Sequence, residues 1–141
     1  MESMNKNVRF SLAKISTDQF AIIPISYKVG ELVNLKTSLQ FGANKESKLI
    51  SVKALFHFEQ QETPFLIVEA SCFFNIEPND WNTLLQEAEI IVPKSIITHF
   101  TLLTIGSVRG ILHVKTEGTN FNGFVIPTIN VTELITTDIH L

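Results

Sequence analysis

The feature that most constrains this chain is a pair of long alternating segments on either side of a short polar turn. In residues 49–59 every second side chain is apolar, and in residues 66–76 the same alternation continues without interruption. A period of two is typical of a half-buried β-strand. The turn at residues 60–63 is too short for a parallel crossover, so the two strands are expected to pair antiparallel. The sequence therefore predicts a hairpin with one strongly apolar face.

Two upstream segments extend this sheet. Each places apolar residues on one face: Val8, Phe10 and Leu12 in the first, and Val33, Leu35, Leu39 and Phe41 in the second. A break at residues 24–30 and a polar turn at residues 42–47 separate the segments from each other and from the hairpin. Four antiparallel strands are predicted.

A helix is expected to follow, because Pro93 suits a first helical turn and Gly110 is a natural stop. Its apolar residues fall at helical spacing: Ile96, Ile97, Phe100, Leu103 and Val108, widened by Leu102 and Ile105. The opposite face carries Thr98, Thr101 and Thr104 and almost no charge, although a solvated helix face is normally charged. These threonines are predicted to contact a second subunit.

The remaining segments complete an α+β domain. Asn79 or Asp80 can cap a short helical turn through Leu85. Residues 111–124 are interpreted as a crossover loop, and residues 131–135 as a short terminal helix. The predicted fold is a single domain over residues 1–141, with a four-stranded antiparallel sheet, a long helix on one face and a short C-terminal helix.

The amino-acid composition indicates a folded protein. The chain is 45% hydrophobic and 18% charged, which excludes a disordered protein. Its mean hydropathy of +0.22 is high. Either the core is unusually apolar or some apolar surface is covered by a partner.

The net charge, the N-terminal residues and the most apolar stretch give expectations about cellular location and binding partners. A net charge of −3 with scattered basic residues argues against nucleic acid as a binding partner. Residues 1–6 lack a signal-peptide pattern. Pro93, Lys94 and His99 interrupt the most apolar stretch, which argues against a membrane span. A cytoplasmic protein is expected.

No constellation of catalytic residues is recognisable, so the protein is not expected to be an enzyme and no cofactor is predicted. The four histidines lie in separate predicted elements without ligand spacing, so no metal site is expected. Cys72 lies on the apolar face of its strand, where a free cysteine behaves as a small hydrophobe.

Four stretches, in order along the chain, carry a family resemblance: residues 9–18 (Arg-Phe-Ser-Leu-Ala-Lys-Ile-Ser-Thr-Asp), 62–66 (Glu-Thr-Pro-Phe-Leu), 108–110 (Val-Arg-Gly) and 124–130 (Phe-Val-Ile-Pro-Thr-Ile-Asn). They resemble, respectively, the opening strand, the last hairpin, the end of the long helix and the segment before the final helix in SecB, the tetrameric bacterial export chaperone, and its relatives. The resemblance implies a dimer of dimers that holds non-native polypeptides in apolar grooves without ATP. Clients in that family are export precursors or antitoxins.

The chain also departs from that family. Residues 80–109 form a longer connection, and the terminal helix is cut short. The acidic patch that docks the SecA motor is matched only by Asp18 and Glu69, with the register displaced by a residue. This displacement argues against a SecA-type partner.

The predicted peptide-binding residues are Phe121, Phe124 and Ile126 in the crossover segment, with Phe65 and Phe73 from the strands. Extended clients would bind there through apolar pockets and main-chain hydrogen bonds. The alternative for these residues is that they cap the domain's own core. Two alternatives for function are an oligomeric assembly or regulatory module that binds one folded protein, and a small-molecule-binding domain.

Overall fold

The computed structural model describes residues 7–141, so the expectation about residues 1–6 lies outside the described part of the chain. Its main feature is a four-stranded antiparallel sheet. The strands are β1 (Phe10–Ile22), β2 (Asn34–Asn44), β3 (Leu49–Gln60) and β4 (Thr63–Ile76). Their order is β1-β4-β3-β2, so the predicted hairpin forms the centre of the sheet.

The remaining elements follow the sheet along the chain. They are α1 (Pro78–Leu84), β5 (Leu85–Gln86), β6 (Glu89–Val92), α2 (Lys94–Thr116), α3 (Val131–Leu134) and β7 (Ile139–His140). The long helix and the short C-terminal helix confirm the predicted fold class. The second sheet, of order β5-β6-β7, was not predicted, because strands of two to four residues are too short to show a period.

The core lies between the central hairpin and α2. In the register of β3 and β4, Val52 pairs with Cys72 and Ala54 with Ala70, and all four are fully buried. The Phe74 and Phe100 rings stack between sheet and helix with centroids 4.1 Å apart. The space between the two layers is therefore filled by the protein's own side chains.

Strand β1 departs from strict alternation at two bulges. Its register against β4 shifts between Leu12 and Lys14 and again between Thr17 and Gln19, which leaves Ala13 and Asp18 as the extra residues. Ile15 consequently pairs with Cys72. With an unbroken period of two, Lys14 and Ser16 would have occupied the face toward α2 instead. The bulges thus keep the apolar residues of β1 on that face.

The prediction for the two faces of α2 was partly wrong. Thr101 and Thr104 are fully buried against the sheet, whereas Leu102 and Leu103 are 49% and 41% exposed. The threonine hydroxyls donate to the carbonyls four residues earlier, at 2.7 Å for Thr101 and 2.8 Å for Thr104. With the hydroxyl satisfied, a threonine can be buried at little cost. Thr101 and Thr104 therefore cannot contact a second subunit, and Thr98 is half-buried.

The ends of α2 also differ from the prediction. The helix continues past Gly110 to Thr116, since a glycine inside a helix costs only about 1 kcal/mol. Near this end, Arg109 donates to the carbonyl of Ile126, at 2.8 Å. At the other end, the Asp138 carboxylate accepts the Lys94 amide at 2.8 Å. Short-range sequence patterns cannot show contacts of this kind.

Helix α2 is the element among the described residues that is long and apolar enough to cross a membrane, by length and composition alone. Ile97, Phe100 and Ile105 pack against the sheet, as in the core helix of a globular domain. That the helix does not span a membrane stays a prediction from the sequence.

Candidate polypeptide-binding surfaces

Three of the five predicted groove residues, Phe65, Phe121 and Phe124, meet in a closed aromatic cluster. Phe65 contacts both Phe121 and Phe124, with ring centroids 6.0 and 5.1 Å apart. Tyr27 packs against Phe65 at 4.8 Å, and Phe58 packs against Phe124 at 5.7 Å. Edge-to-face and offset contacts at these distances stabilise a core.

This closure corrects the predicted site. Phe65 and Ile126 are 0% and 2% exposed and Phe121 is 8% exposed, so these side chains cap the domain's own core. Phe124 is half-buried in the same cluster. Phe73 lies on the other side of β4, where the Lys14 ammonium lies 5.6 Å from its ring centroid. The five predicted residues therefore do not line one groove in this protomer.

An exposed apolar surface lies outside this cluster, on the connection between β1 and β2. Because these strands form opposite edges of the sheet, residues 23–33 cross its end beside the β3–β4 turn. Ile25, Val29 and Leu32 are 92%, 88% and 79% exposed. We call these three side chains the loop surface. Single exposed aliphatic residues are common, but three on one short connection are not explained by packing within the protomer.

The loop surface has a defined backbone conformation. The Gln60 side chain accepts the Lys28 amide at 2.9 Å and donates to the Lys28 carbonyl at 2.8 Å. The Ile23 amide donates to the Phe65 carbonyl at 2.8 Å. Tyr27 fits into the aromatic cluster between Phe65 and Phe124. The loop is thus held against the core by polar and aromatic anchors while its aliphatic side chains point outward.

Further apolar surface adjoins the loop. Because Tyr27 contacts Phe124, the loop lies beside the segment that follows α2, where Val125 is exposed. A cavity of about 470 Å³ opens between the two segments and is lined by Ile22, Pro24, Gly118, Thr119, Asn120 and Phe121. This cavity lies beside Ile25 of the loop surface, since Pro24 is part of its lining.

A second apolar surface lies between β1 and α2. It is a cavity of about 480 Å³, lined by Ile15, Thr17, Gly106, Ser107, Gly110, Ile111, Val114 and Lys115. We call this the β1–α2 groove. Exposed apolar side chains adjoin it on both elements: Phe10 and Leu12 on the strand, and Leu102 and Leu103 on the helix.

Two glycines shape the β1–α2 groove. Gly106 and Gly110 lie one turn apart, and a Cβ atom added at either would meet no atom within 4 Å. Packing within the protomer therefore does not require glycine at either position. Each glycine costs the helix about 1 kcal/mol relative to alanine. The open space at both glycines leaves the helix backbone exposed there.

The predicted docking pair, Asp18 and Glu69, lies on the sheet face away from α2. Gln19 pairs with Glu69, so Asp18 is one step from it along β1. Asp18 accepts the hydroxyls of Ser71 and Ser16 at 2.5 and 3.0 Å. The structure thus brings the two acidic residues close together. Lys14 and Lys53 share the face, so its charge is mixed.

An ion-pair cluster holds the start of β1, next to the groove. The Arg9 side chain donates from Nε to Asp80 at 3.0 Å and from Nη2 to Glu77 at 3.2 Å. The Arg9 amide also donates to Asp80, at 2.8 Å. The side-chain hydrogen bond from Arg9 and the bond from its amide hold the pKa of the Asp80 carboxyl below its usual value. Glu77 accepts the Asp80 amide at 3.1 Å and caps α1 in place of the predicted Asn79 or Asp80.

Chemistry-bearing side chains do not assemble elsewhere in residues 7–141. No group of three or more His, Cys, Asp and Glu side chains in this part of the chain could hold a metal ion. Cys72 is buried, with its Sγ 3.6 Å from the Ser107 hydroxyl.

The loop surface was missed because residues 24–30 were interpreted as a simple break between strands. A signal was present in the sequence, since Ile25, Val29 and Leu32 are aliphatic residues in a segment that also holds Pro24 and Gly30. Aliphatic residues that fit neither a strand nor a helix period are candidates for an exposed binding surface.

Comparison with known proteins gives matches in structure alone. No protein-family model matches the sequence, and no curated protein matches it. One similar solved structure is a Mycobacterium tuberculosis SecB-like chaperone, Rv1957, in complex with a ChAD peptide from the Rv1956 HigA1 antitoxin. It is 12% identical, with a TM-score of 0.46 over 88% of this chain and 90% of that chain. A SecB-like chaperone is thus among the solved structures to which this chain is similar.

Another similar structure is a protein of unknown function from Streptococcus agalactiae. It is 12% identical, with a TM-score of 0.43 over 89% of this chain and 100% of that chain.

Proposed function

We propose that this protein is an ATP-independent holdase of the cytoplasm that binds extended, apolar polypeptides on its loop surface. The observation that carries the proposal is the exposure of Ile25, Val29 and Leu32 on a loop that Gln60 and Tyr27 anchor to the core. Because the loop is anchored, its backbone does not fold over its own aliphatic side chains, and these side chains stay exposed. The sequence resemblance implies export precursors or antitoxins as the clients.

The chemistry of the loop surface suits many clients. Burying one aliphatic side chain contributes about 1.5–3 kcal/mol, so the three together contribute roughly 5–9 kcal/mol before the cost of ordering the client. Ordering a flexible chain offsets several kcal/mol of that. A single loop surface therefore binds weakly and with little sequence preference, as a holdase requires.

Self-association would raise this affinity, and we propose that the β1–α2 groove is where two copies meet. The exposed face of α2 around Leu103 and Gly106 carries no charge, and the outer edge of β1 lies beside it. In an oligomer, a client bound to one loop surface is held close to the loop surface of the neighbouring copy, at a high effective concentration. Several weak contacts then combine into stronger binding. Measurement of the mass in solution tests this part, and a monomer at micromolar concentration would contradict it.

Holding is tested by light scattering with an aggregating, unfolded client at a stoichiometric ratio. The wild-type protein should suppress aggregation, and the double variant Val29→Asp, Leu32→Asp should lose most of this activity. Leu134→Asp is a control of the same kind, since Leu134 is a half-exposed leucine on α3 that belongs to neither surface. Failure of the wild-type protein to suppress aggregation would overturn the proposal.

The two alternatives make different predictions. A regulatory module should return one dominant folded protein in an affinity pull-down, whereas a holdase should return many unfolded ones. A small-molecule site between sheet and helix would have to use the β1–α2 groove, because the stacked Phe74 and Phe100 rings fill the core beside it. Such a site should give a thermal shift with a metabolite.

A further inference from the structure

The two edges of the main sheet differ in regularity. Among the described residues, neither β1 nor β2 has a strand partner on its outer side. An open edge presents unpaired amide and carbonyl groups that can pair with another extended chain. The bulges at Ala13 and Asp18 interrupt the edge of β1, and bulges are a common means of blunting an edge. Strand β2 pairs with β3 in continuous register from Asn34 to Asn44, so its edge is uninterrupted.

From Asn34 to Phe41 the side chains of β2 alternate in exposure. Leu35, Leu39 and Phe41 point toward the α2 side and are half-buried, whereas Lys36 and Gln40 are exposed on the far face. A strand added beside β2 would place every second side chain next to Leu35, Leu39 or Phe41. In strand addition, main-chain hydrogen bonds supply affinity and alternate side-chain positions supply preference.

The edge of β2 is continuous with the loop surface. Leu32, the last residue of that surface, lies two residues before Asn34, where β2 begins. Eleven residues of strand span roughly 35 Å. An extended client that contacts Leu32 could therefore continue along β2 for about ten residues.

We infer that clients add to the outer edge of β2 as a fifth strand of the sheet. This inference rests on the proposed holdase function and specifies its binding mode. Main-chain bonds along β2 are independent of the client's sequence, and the half-buried Leu35, Leu39 and Phe41 favour clients with alternating apolar residues. The edge thus adds affinity that the three aliphatic residues of the loop surface do not supply.

The test uses a fluorescent ten-residue peptide of alternating apolar and polar residues in three forms: unmodified, N-methylated at odd positions, and N-methylated at even positions. In an added strand every second amide donates to the sheet edge and the others face away. One methylated form should therefore bind at least ten-fold more weakly than the other in a fluorescence anisotropy titration. The two forms are matched in composition and in number of methyl groups, so each controls for the other.

The outcomes separate this inference from the function on which it rests. If the unmodified peptide binds and the two methylated forms bind equally, strand addition is wrong and the holdase function stands. If the unmodified peptide does not bind, the holdase function fails and the inference fails with it.

Amide hydrogen exchange of the full chain identifies the edge. On addition of the unmodified peptide, alternate amides within Asn34–Asn44 should exchange at least ten-fold more slowly, while the amides of β1 are unchanged. Protection confined to β1, or protection of neither strand, would overturn the assignment to β2.

Discussion

The loop surface and the β1–α2 groove both expose aliphatic side chains, yet they are built in different ways. The groove lies between a strand and a helix, so its walls have fixed backbone geometry, and Gly106 and Gly110 open its floor. The loop surface lies on a connection without regular structure beyond one short 3₁₀ turn, and side chains such as Gln60 and Tyr27 anchor it.

This difference suggests a division of roles. A groove of fixed shape suits one partner of fixed shape, such as a second copy of the chain. Aliphatic side chains on an anchored loop can adjust their rotamers to different clients. The comparison predicts that variants in one region change one property and leave the other intact.

The largest expected effect is on the free energy of unfolding, through the aromatic cluster beneath the loop surface. Phe65→Ala should reduce the free energy of unfolding by about 3–5 kcal/mol, because a fully buried ring is removed from the aromatic cluster. Ile25→Ala should change it by less than about 0.5 kcal/mol, because that side chain is already in solvent. Urea denaturation of both variants measures the contrast. Similar losses for the two would show that the loop surface belongs to the core.

A smaller effect of opposite sign is expected in the groove. Gly106→Ala and Gly110→Ala should each stabilise the protomer by up to about 1 kcal/mol, since alanine favours a helix and the added Cβ has free space. The same variants should weaken self-association, as measured by sedimentation equilibrium. The affinity of each loop surface for a client should stay unchanged. Gly123→Ala, outside any helix and with equally open space, is the control. Unchanged self-association in both helix variants would contradict the role assigned to the groove.

The smallest expected effect is a pH dependence at the start of β1. The lowered pKa of Asp80 stabilises the fold above the ordinary carboxyl pKa of about 3.9, and this contribution is lost as the pH falls through the lowered value. Asp80→Asn should therefore be less stable than wild type at neutral pH and equally stable once Asp80 is protonated in the wild type. Thermal unfolding from pH 2 to 7 measures the convergence.

Arg9→Gln tests the same pair from the other side. It should remove the same part of the pH dependence, because Arg9 causes the shift in Asp80. Parallel profiles for wild type and Asp80→Asn would contradict the assignment. Client holding should be unaffected by either variant, since the loop surface is at another part of the fold.

Much of the fold could be predicted from local patterns. The hairpin of β3 and β4 follows from side-chain alternation, and α3 follows from a short helical pattern at residues 131–135. These elements could be predicted because a period of two or 3.6 acts within the segment itself. The placement of Leu35, Leu39 and Phe41 on one face of β2 follows from the same rule.

The exposed apolar surfaces could not be predicted from those patterns. Both Thr101 and Leu103 are compatible with a buried helix face, and packing against the sheet decided that the threonine is inside. Phe121 and Phe124 are apolar wherever they lie, and only contact with Phe65 made them core.

The sequence by itself determined the four long strands and most of the long helix, because hydrophobic periodicity is a local property. The tertiary structure alone decided which apolar side chains remain in solvent, because burial depends on elements far apart in the chain. Ile25 is exposed and Phe65 is buried for this reason, although both are equally apolar in the sequence.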